Sequence, residues 1–194
     1  MRKVKLNTLV LAAVSAAMLA GCATKPPAPP TPPPTPAPTK PAAPPYTWND
    51  TGAKGPSRVV VDLSEQRVYF YRGDVRIGDT RCSTGKKGFD TVCGEYQITQ
   101  KDKNHVSNLY GSFVNGSGGI VRRDVDMSKM KLPEGCSFQG AKMPCYMRFN
   151  AGYGLHAGYV PDYPASHGCV RLPRVMAEHI FENSQVGTPV IVRQ

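Results

Sequence analysis

From position 57 onward, the chain is made of short runs of β-branched and aromatic residues separated by turn residues, which is typical of β-strands. Runs at 58–63 and 67–72 lie three residues apart, which predicts a hairpin, and a Gly73-Asp74 turn leads to a third strand at 75–82. Further strands are predicted at 95–100, 146–150, 153–156 and 188–193, and one helix is predicted from Pro173 to Phe181.

A different pattern occupies 104–119, where Gly, Ser and Asn are frequent, and we expect a long loop over the sheet there. Many short strands with glycine turns and one late helix predict a mostly β domain with one or more short helices, arranged as a sandwich or a closed mixed sheet.

The first twenty residues combine a basic start with an apolar run. Cations at 2, 3 and 5 precede an apolar stretch from 6 to 20, which is shorter than the roughly 20 residues of a membrane span and typical of a secretory signal peptide. The stretch ends in Leu19-Ala-Gly-Cys22, which resembles the lipobox of bacterial lipoproteins. We predict a lipoprotein signal peptide at 1–21 and lipidation of Cys22; a plain signal peptide is the alternative. Ala23 in place of Asp favours, by that resemblance, an outer-membrane anchor facing the periplasm.

Proline divides the rest of the chain. Twelve of the 19 prolines lie between 26 and 45, a density that favours extended polyproline II at about 3.1 Å per residue. We therefore predict that residues 22–55 are a lipidated tether and that residues 56–194 form one folded domain, which suits a chain of this length. The sequence leaves open whether Tyr46 and Trp48 pack against that domain.

The formal net charge is +10, and it falls to +7 when the three cations of the signal peptide are removed. An exported protein of this modest charge is not expected to bind nucleic acid. Attraction to an anionic cell-wall polymer or lipid surface is compatible with it.

The strongest chemical signal is the string Pro164-Ala-Ser-His-Gly-Cys-Val-Arg-Leu-Pro173. Gly168 before Cys169 permits a turn that aims backbone N–H groups at one point, as an oxyanion hole requires. A thiolate nucleophile needs a nearby base, for which His156 and His167 are candidates. Arg171 would share a strand face with Cys169 and could bind a carboxylate or phosphate.

These residues alone leave other interpretations open. Cys169 could be a disulfide partner, and His167 could be a structural histidine. Zinc could be held by His156, His167, Cys169 and Cys145, although no two cysteines have the two-residue separation of a zinc knuckle.

The string Ser166-His-Gly-Cys-Val-Arg171, with His156 upstream, resembles the signature of the YkuD-type L,D-transpeptidases, which are cell-wall enzymes. The similarity runs from about 57 to 193 and includes Ser83-Thr-Gly85 and Thr91-Val-Cys-Gly94, where the family often has Thr-Pro-x-Gly. The resemblance implies a YkuD-like β fold, a catalytic domain at 56–194, and no metal or nucleotide cofactor.

The resemblance also implies roles for single residues. Cys169 would be the nucleophile and His156 the general base and acid, oriented by the carbonyl of Ala157 or Gly158. The expected oxyanion donors are the N–H groups of His167, Gly168 and Cys169. The expected site-shaping and substrate contacts are Ser166, Arg171 and Tyr159.

The implied reaction joins a tetrapeptide stem of peptidoglycan, through a thioester, to an amine. The amine of another stem would give a 3→3 crosslink, and a protein lysine would attach a lipoprotein to the wall. The expected partners are therefore stem peptides, the membrane through the lipid anchor, and a lipoprotein acceptor, without nucleic acid. A thiol L,D-carboxypeptidase using the same site and a catalytically idle wall-binding lipoprotein are the alternatives.

In an exported protein, four further cysteines would be exposed to an oxidising compartment: Cys82, Cys93, Cys136 and Cys145. Three pairings are possible, and Cys82–Cys93 with Cys136–Cys145 is favoured because each closes a short loop; buried free thiols are the alternative. His105 could line the substrate groove, and a structural or exposed role is the alternative.

Overall fold

The computed structural model describes residues 46–194, so the predicted signal peptide, Cys22 and most of the predicted tether lie outside the described residues. The described elements are eleven strands and one helix, and they form two mixed sheets. Their bounds are β1 Tyr46–Trp48, β2 Ser57–Asp62, β3 Arg67–Arg72, β4 Val75–Arg81, β5 Gly94–Gln97, β6 Gln100–Asn115, β7 Ile120–Asp126, β8 Cys136–Asn150, β9 Tyr153–Ala157, β10 Val170–Leu172, α1 Arg174–Asn183 and β11 Pro189–Arg193.

The first sheet has the order β1-β4-β3-β2-β11-β5, and its centre is the predicted hairpin of β2 and β3. Val59 pairs with Phe70 and Val61 with Val68, and all four side chains are fully buried. Strand β11 lies parallel to β2 and separates it from the edge strand β5. The mostly β fold with one short helix is confirmed.

The second sheet, of order β10-β9-β8-β6-β7, contains a correction. The segment predicted as a loop at 104–119 belongs largely to β6, a 16-residue strand that pairs antiparallel with β8. Most of its side chains are partly or fully exposed, so the strand lacks the apolar run that marks a half-buried one. Backbone hydrogen bonds along the ladder hold it instead.

A bulge interrupts the pairing of β6 with β8. Val106 pairs with Lys142 and Gly111 with Gly140, so four residues of β6 stand opposite the single residue Ala141. The Ser107 hydroxyl stabilises the bulge by accepting hydrogen bonds from the N–H groups of Leu109 at 3.2 Å and Tyr110 at 2.9 Å.

One hydrophobic core joins the two sheets and the helix. It contains side chains of β2, β3, β4, β8, β9, β10, α1 and β11. Helix α1 packs against β8 and β9 and buries Met176, Ala177 and Ile180. No helix among residues 46–194 is both long and apolar enough to cross a membrane.

The folded part begins earlier than the sequence predicted. Strand β1, inside the segment predicted as tether, pairs with β4, and Trp48 lies opposite Gly78. The Trp48 ring stacks on His179 of α1, with centroids 4.8 Å apart, and lies 5.3 Å from the ring of Phe70. A Cβ atom on Gly78 would come within 2.8 Å of the indole, so this glycine leaves the space that the ring occupies.

The predicted disulfides are absent from the described part of the chain. Cys136 and Cys145 lie nine positions apart on the single strand β8, a separation of roughly 30 Å at about 3.3 Å per residue, far beyond the reach of a disulfide. Cys82 and Cys93 are also unpaired; the first is buried and the second exposed. Burial raises the pKa of the Cys82 thiol to about 12.

Candidate active site

The Ser-His-Gly-Cys-Val-Arg string continues into strand β10 and is hydrogen-bonded to the segment at 83–86. The backbones of Ser83 and Arg171 exchange two hydrogen bonds, of 3.0 and 2.9 Å. Thr84 accepts from the N–H of Ser166 at 3.0 Å, and the N–H of Lys86 donates to the Ser166 carbonyl at 3.0 Å. The Ser-Thr-Gly segment quoted from the sequence therefore positions the motif.

The turn before Cys169 requires glycine. Gly168 has φ +110°, and a Cβ atom there would lie 2.3 Å from the ring of Tyr153. The Thr91 hydroxyl donates to the Gly168 carbonyl at 2.8 Å and accepts from the N–H of Gly85 at 3.0 Å. Thr91 thus ties the turn to the neighbouring loop, a role that the sequence analysis did not assign.

Ser166 closes the same turn. Its hydroxyl accepts a hydrogen bond from the N–H of Gly168 at 3.0 Å and donates to the carbonyl of Cys169. The N–H of Gly168, one of the three predicted oxyanion donors, is therefore engaged by Ser166 in this structure. The N–H groups of His167 and Cys169 have no hydrogen-bond partner among residues 46–194 and remain available.

The Cys169 thiol is partly exposed, and its Sγ atom lies 3.9 Å from the Gly152 carbonyl oxygen. Burial raises the pKa of this thiol, and smaller opposing effects come from a hydrogen bond with the Gly154 backbone and from the charges of Arg171 and Arg148. The resting group is therefore a thiol, and its attack requires a base.

His156 is buried on β9, which pairs with β10, the strand that follows Cys169. Its Nδ1 atom lies 2.9 Å from the Ala157 carbonyl oxygen, which selects Ala157 from the two predicted orienting residues. Because a carbonyl only accepts, Nδ1 carries the proton and Nε2 is free to act as the base. Burial lowers the pKa of His156 to about 4, so the imidazole is neutral near pH 7.

His156 and Cys169 line one cavity of about 390 Å³. No direct hydrogen bond joins the two side chains in the described structure; such bonds are often long in free enzymes and tighten when substrate binds. The lining includes the β6 bulge and its flank at 105–110, then Ala141, Met143, Tyr146, Arg148, Gly152, Tyr153, Ser166, His167 and Arg171.

A second cavity, of about 460 Å³, adjoins the first. Tyr110 and His167 line both cavities, and their rings are stacked with centroids 4.4 Å apart. Arg171 also borders both, and the second is further lined by the cations Arg123 and Lys142 and by the carboxylate Asp124. Cations therefore outnumber carboxylates at both cavities.

The predicted site residues separate into two groups. Cys169, His156, Ser166, His167 and Arg171 meet at the first cavity, whereas Tyr159 is 77% exposed and lines neither cavity. Backbone pairing with β10 positions Ala157 and Gly158: Ala157 pairs with Leu172, and the Gly158 N–H donates to the Leu172 carbonyl at 3.0 Å.

Two residues that line the cavity were not predicted as site residues, although the alternation along their strand places them on one face. Tyr146 and Arg148 alternate with the buried Met147 and Phe149 on the predicted strand 146–150, so they share the face opposite the core. Among residues 46–194, no three His, Cys, Asp or Glu side chains are arranged to hold a metal ion.

Solved structures with the same fold include three L,D-transpeptidases. The protein from Stackebrandtia nassauensis is 24% identical, with a TM-score of 0.53 over 76% of this chain and 58% of its own. That from Mycobacterium smegmatis is 20% identical (TM-score 0.55; 71% and 58%), and one from Mycobacterium tuberculosis is 18% identical (TM-score 0.54; 71% and 57%). The chain thus covers less than two thirds of these relatives. No match was found among curated proteins.

A family model for the L,D-transpeptidase catalytic domain matches residues 56–192, which is most of the described structure. The match includes the cysteine turn, His156 and the segment that holds them. The chain belongs to the YkuD family of L,D-transpeptidase catalytic domains.

Proposed function

We propose that this protein is a peptidoglycan L,D-transpeptidase with Cys169 as its nucleophile. The observation that carries the proposal is the placement of a partly exposed thiol, on a turn fixed by Gly168 and Ser166, in one cavity with an oriented and neutral His156. Membership of the YkuD family supports the same activity.

In the first half-reaction, Nε2 of His156 takes the thiol proton as the sulfur attacks a stem amide. The bond broken joins the L-centre of diaminopimelate to the terminal D-alanine. The N–H groups of His167 and Cys169 would hold the developing oxyanion. His156 then protonates the leaving amine, and a thioester remains on Cys169.

In the second half-reaction, an amine attacks the thioester and His156 returns a proton to the sulfur. The side-chain amine of another diaminopimelate would give a 3→3 crosslink, and a protein lysine would attach that protein to the wall. Arg148 and Arg171, both at the first cavity, are suited to bind stem carboxylates.

The proposal is tested by turnover of purified tetrapeptide stems. We expect Cys169→Ala to abolish turnover and Cys93→Ala to leave it unchanged, since Cys93 is exposed and lines neither cavity. Turnover by the Cys169→Ala protein would contradict the proposal. Crosslinked dimers among the products indicate transfer, whereas tripeptides alone would indicate a carboxypeptidase.

A carbapenem offers a second probe of the same thiol. An L,D-transpeptidase of similar fold, 19% identical with a TM-score of 0.54, has been solved in complex with imipenem. We expect imipenem to acylate Cys169 and to block stem turnover. An inert thiol, together with binding to intact cell wall, would point to the idle wall-binding alternative.

The location is also a proposal and rests on the sequence alone. The lipobox-like string and Ala23 support an outer-membrane lipoprotein that is anchored through Cys22 and faces the periplasm. Labelled palmitate should be incorporated into the protein and should be lost in Cys22→Ser. Equal labelling of the two proteins would contradict the anchor.

A further inference from the structure

A histidine that is paired with a carboxylate also lines the cavity of Cys169 and His156. His105 on β6 lines the cavity, and its Nδ1 atom lies 3.2 Å from Oδ2 of Asp102, three residues earlier on the same strand. The imidazole is 20% exposed and the carboxylate 41% exposed. Nε2 of His105 forms no hydrogen bond within residues 46–194 and is therefore free to meet a ligand.

Tyr146 connects this pair to the nucleophile. The His105 ring stacks on the Tyr146 ring at 4.2 Å between centroids, and the Tyr146 ring lies 6.5 Å from that of His156. The Tyr146 hydroxyl donates to the Gly152 carbonyl at 3.2 Å, the same oxygen that faces the Cys169 thiol. The second histidine is thus separated from the first by one aromatic ring.

The charged and titratable groups around His105 come from four strands and one turn. They are Asp102 and Tyr110 on β6, Tyr146 and Arg148 on β8, Tyr153 and His156 on β9, His167 and Cys169 in the turn, and Arg171 on β10. No side chain that lines this cavity is a carboxylate, so Asp102 acts on it only through His105. His167 differs, because its ring is packed against Tyr110 and Phe89, and Asp124 and Asp126 act on it by their charge and not by a hydrogen bond.

The proton balance of the second half-reaction requires a proton acceptor besides His156. A primary amine such as that of lysine is an ammonium ion near pH 7. Its reaction with the thioester forms an amide and a free thiol and releases one proton. His156 takes up a single proton, and that proton returns to the Cys169 sulfur. The other proton must leave the ammonium group before its nitrogen can attack.

We propose that His105, paired with Asp102, is the second catalytic base, which takes the first proton from the ammonium group of the acceptor. This inference rests on the proposed function and assigns an amine, rather than water, as the acceptor that the cavity serves. Imidazole is the usual side chain for proton transfer near neutral pH, and the partly exposed carboxylate gives the proton a route to solvent.

The test separates the two half-reactions. The enzyme is first acylated with a tetrapeptide stem, and the thioester is then chased with Nα-acetyl-lysine, a charged amine, or with hydroxylamine, which is uncharged at neutral pH. We expect His105→Gln and Asp102→Asn to form the thioester at the normal rate. Both should slow the chase by Nα-acetyl-lysine at least tenfold near pH 7, leave the hydroxylamine chase unchanged, and recover as the pH rises.

Asn104→Gln is the matched control, since this neighbouring side chain is exposed and does not line the cavity. Asp102→Asn keeps the size of the side chain and one oxygen to accept from the N–H of Asn104, and it removes the charge that faces His105. Equal slowing with both amines would indicate a structural role and overturn the inference, as would an unchanged chase by Nα-acetyl-lysine. If the unaltered enzyme forms no thioester, the proposed function itself fails and this inference falls with it.

Discussion

At the scale of single residues, burial sets the resting state of the proposed catalytic pair, Cys169 and His156. It raises the pKa of Cys169 and lowers that of His156 to about 4, so the neutral forms of both groups are favoured. The pair therefore differs from a preformed thiolate and imidazolium. The thiol is expected to become a nucleophile only as His156 removes its proton.

This resting state predicts the pH dependence of Cys169 alkylation. The rate of reaction with iodoacetamide should rise continuously from pH 6 to beyond pH 9, because the thiolate becomes more abundant as the pH approaches the raised pKa. Measurement in a Cys93→Ala/Cys136→Ala protein removes the exposed thiol and the other partly exposed thiol of residues 46–194. A plateau between pH 5 and 7 would show a thiolate–imidazolium pair and contradict this account.

Gly168 supplies a second prediction at this scale. Gly168→Ala combines a left-handed backbone with a clash against the Tyr153 ring, whereas Gly88→Ala has a positive φ of +83° and open space. We expect Gly88→Ala to cost about 1 kcal/mol of unfolding free energy and Gly168→Ala to cost at least about 1 kcal/mol more, with loss of acylation. Urea unfolding measures the free energy of unfolding of both variants. Equal losses would contradict the prediction and show that the Tyr153 ring moves aside without cost.

At the scale of elements, apolar content decides what the sequence could predict. Strands β2, β3 and β11 carry buried valines and were predicted nearly to their ends. Strand β6 was missed because its polar side chains carry no apolar period, although its backbone pairs along most of β8. Strand β1 was missed because three residues beside a proline-rich segment give too short a pattern.

Strand β1 should contribute to stability through one side chain. Trp48→Ala removes the contacts with His179 and Phe70 and is expected to lower the free energy of unfolding by about 3 kcal/mol. Tyr46 lies on the same strand but is 41% exposed, so Tyr46→Ala should cost less than about 1 kcal/mol. Chemical denaturation measures both losses. Similar losses of unfolding free energy for the two variants would mean that the contacts of the Trp48 indole do not stabilise the fold.

At the scale of the whole molecule, the Ser-His-Gly-Cys-Val-Arg string lies where the second sheet meets the segment that follows β4 of the first. Ser83 and Arg171 join these parts by two backbone hydrogen bonds, and Thr91 adds a third link at Gly168. The family string placed Cys169 and His156 together in the sequence-based prediction, and the structure brings both to one cavity. The string could not predict that Ser166 occupies the Gly168 N–H, because that depends on the direction of one hydroxyl.

The most direct measurement of the central claim is the intact mass of the protein after mixing with a diaminopimelate-containing tetrapeptide stem. The account predicts a protein species heavier by the stem without its terminal D-alanine, attached at Cys169 and absent from Cys169→Ala. The same adduct on another residue, or release of D-alanine without any adduct in rapidly quenched samples, would contradict it.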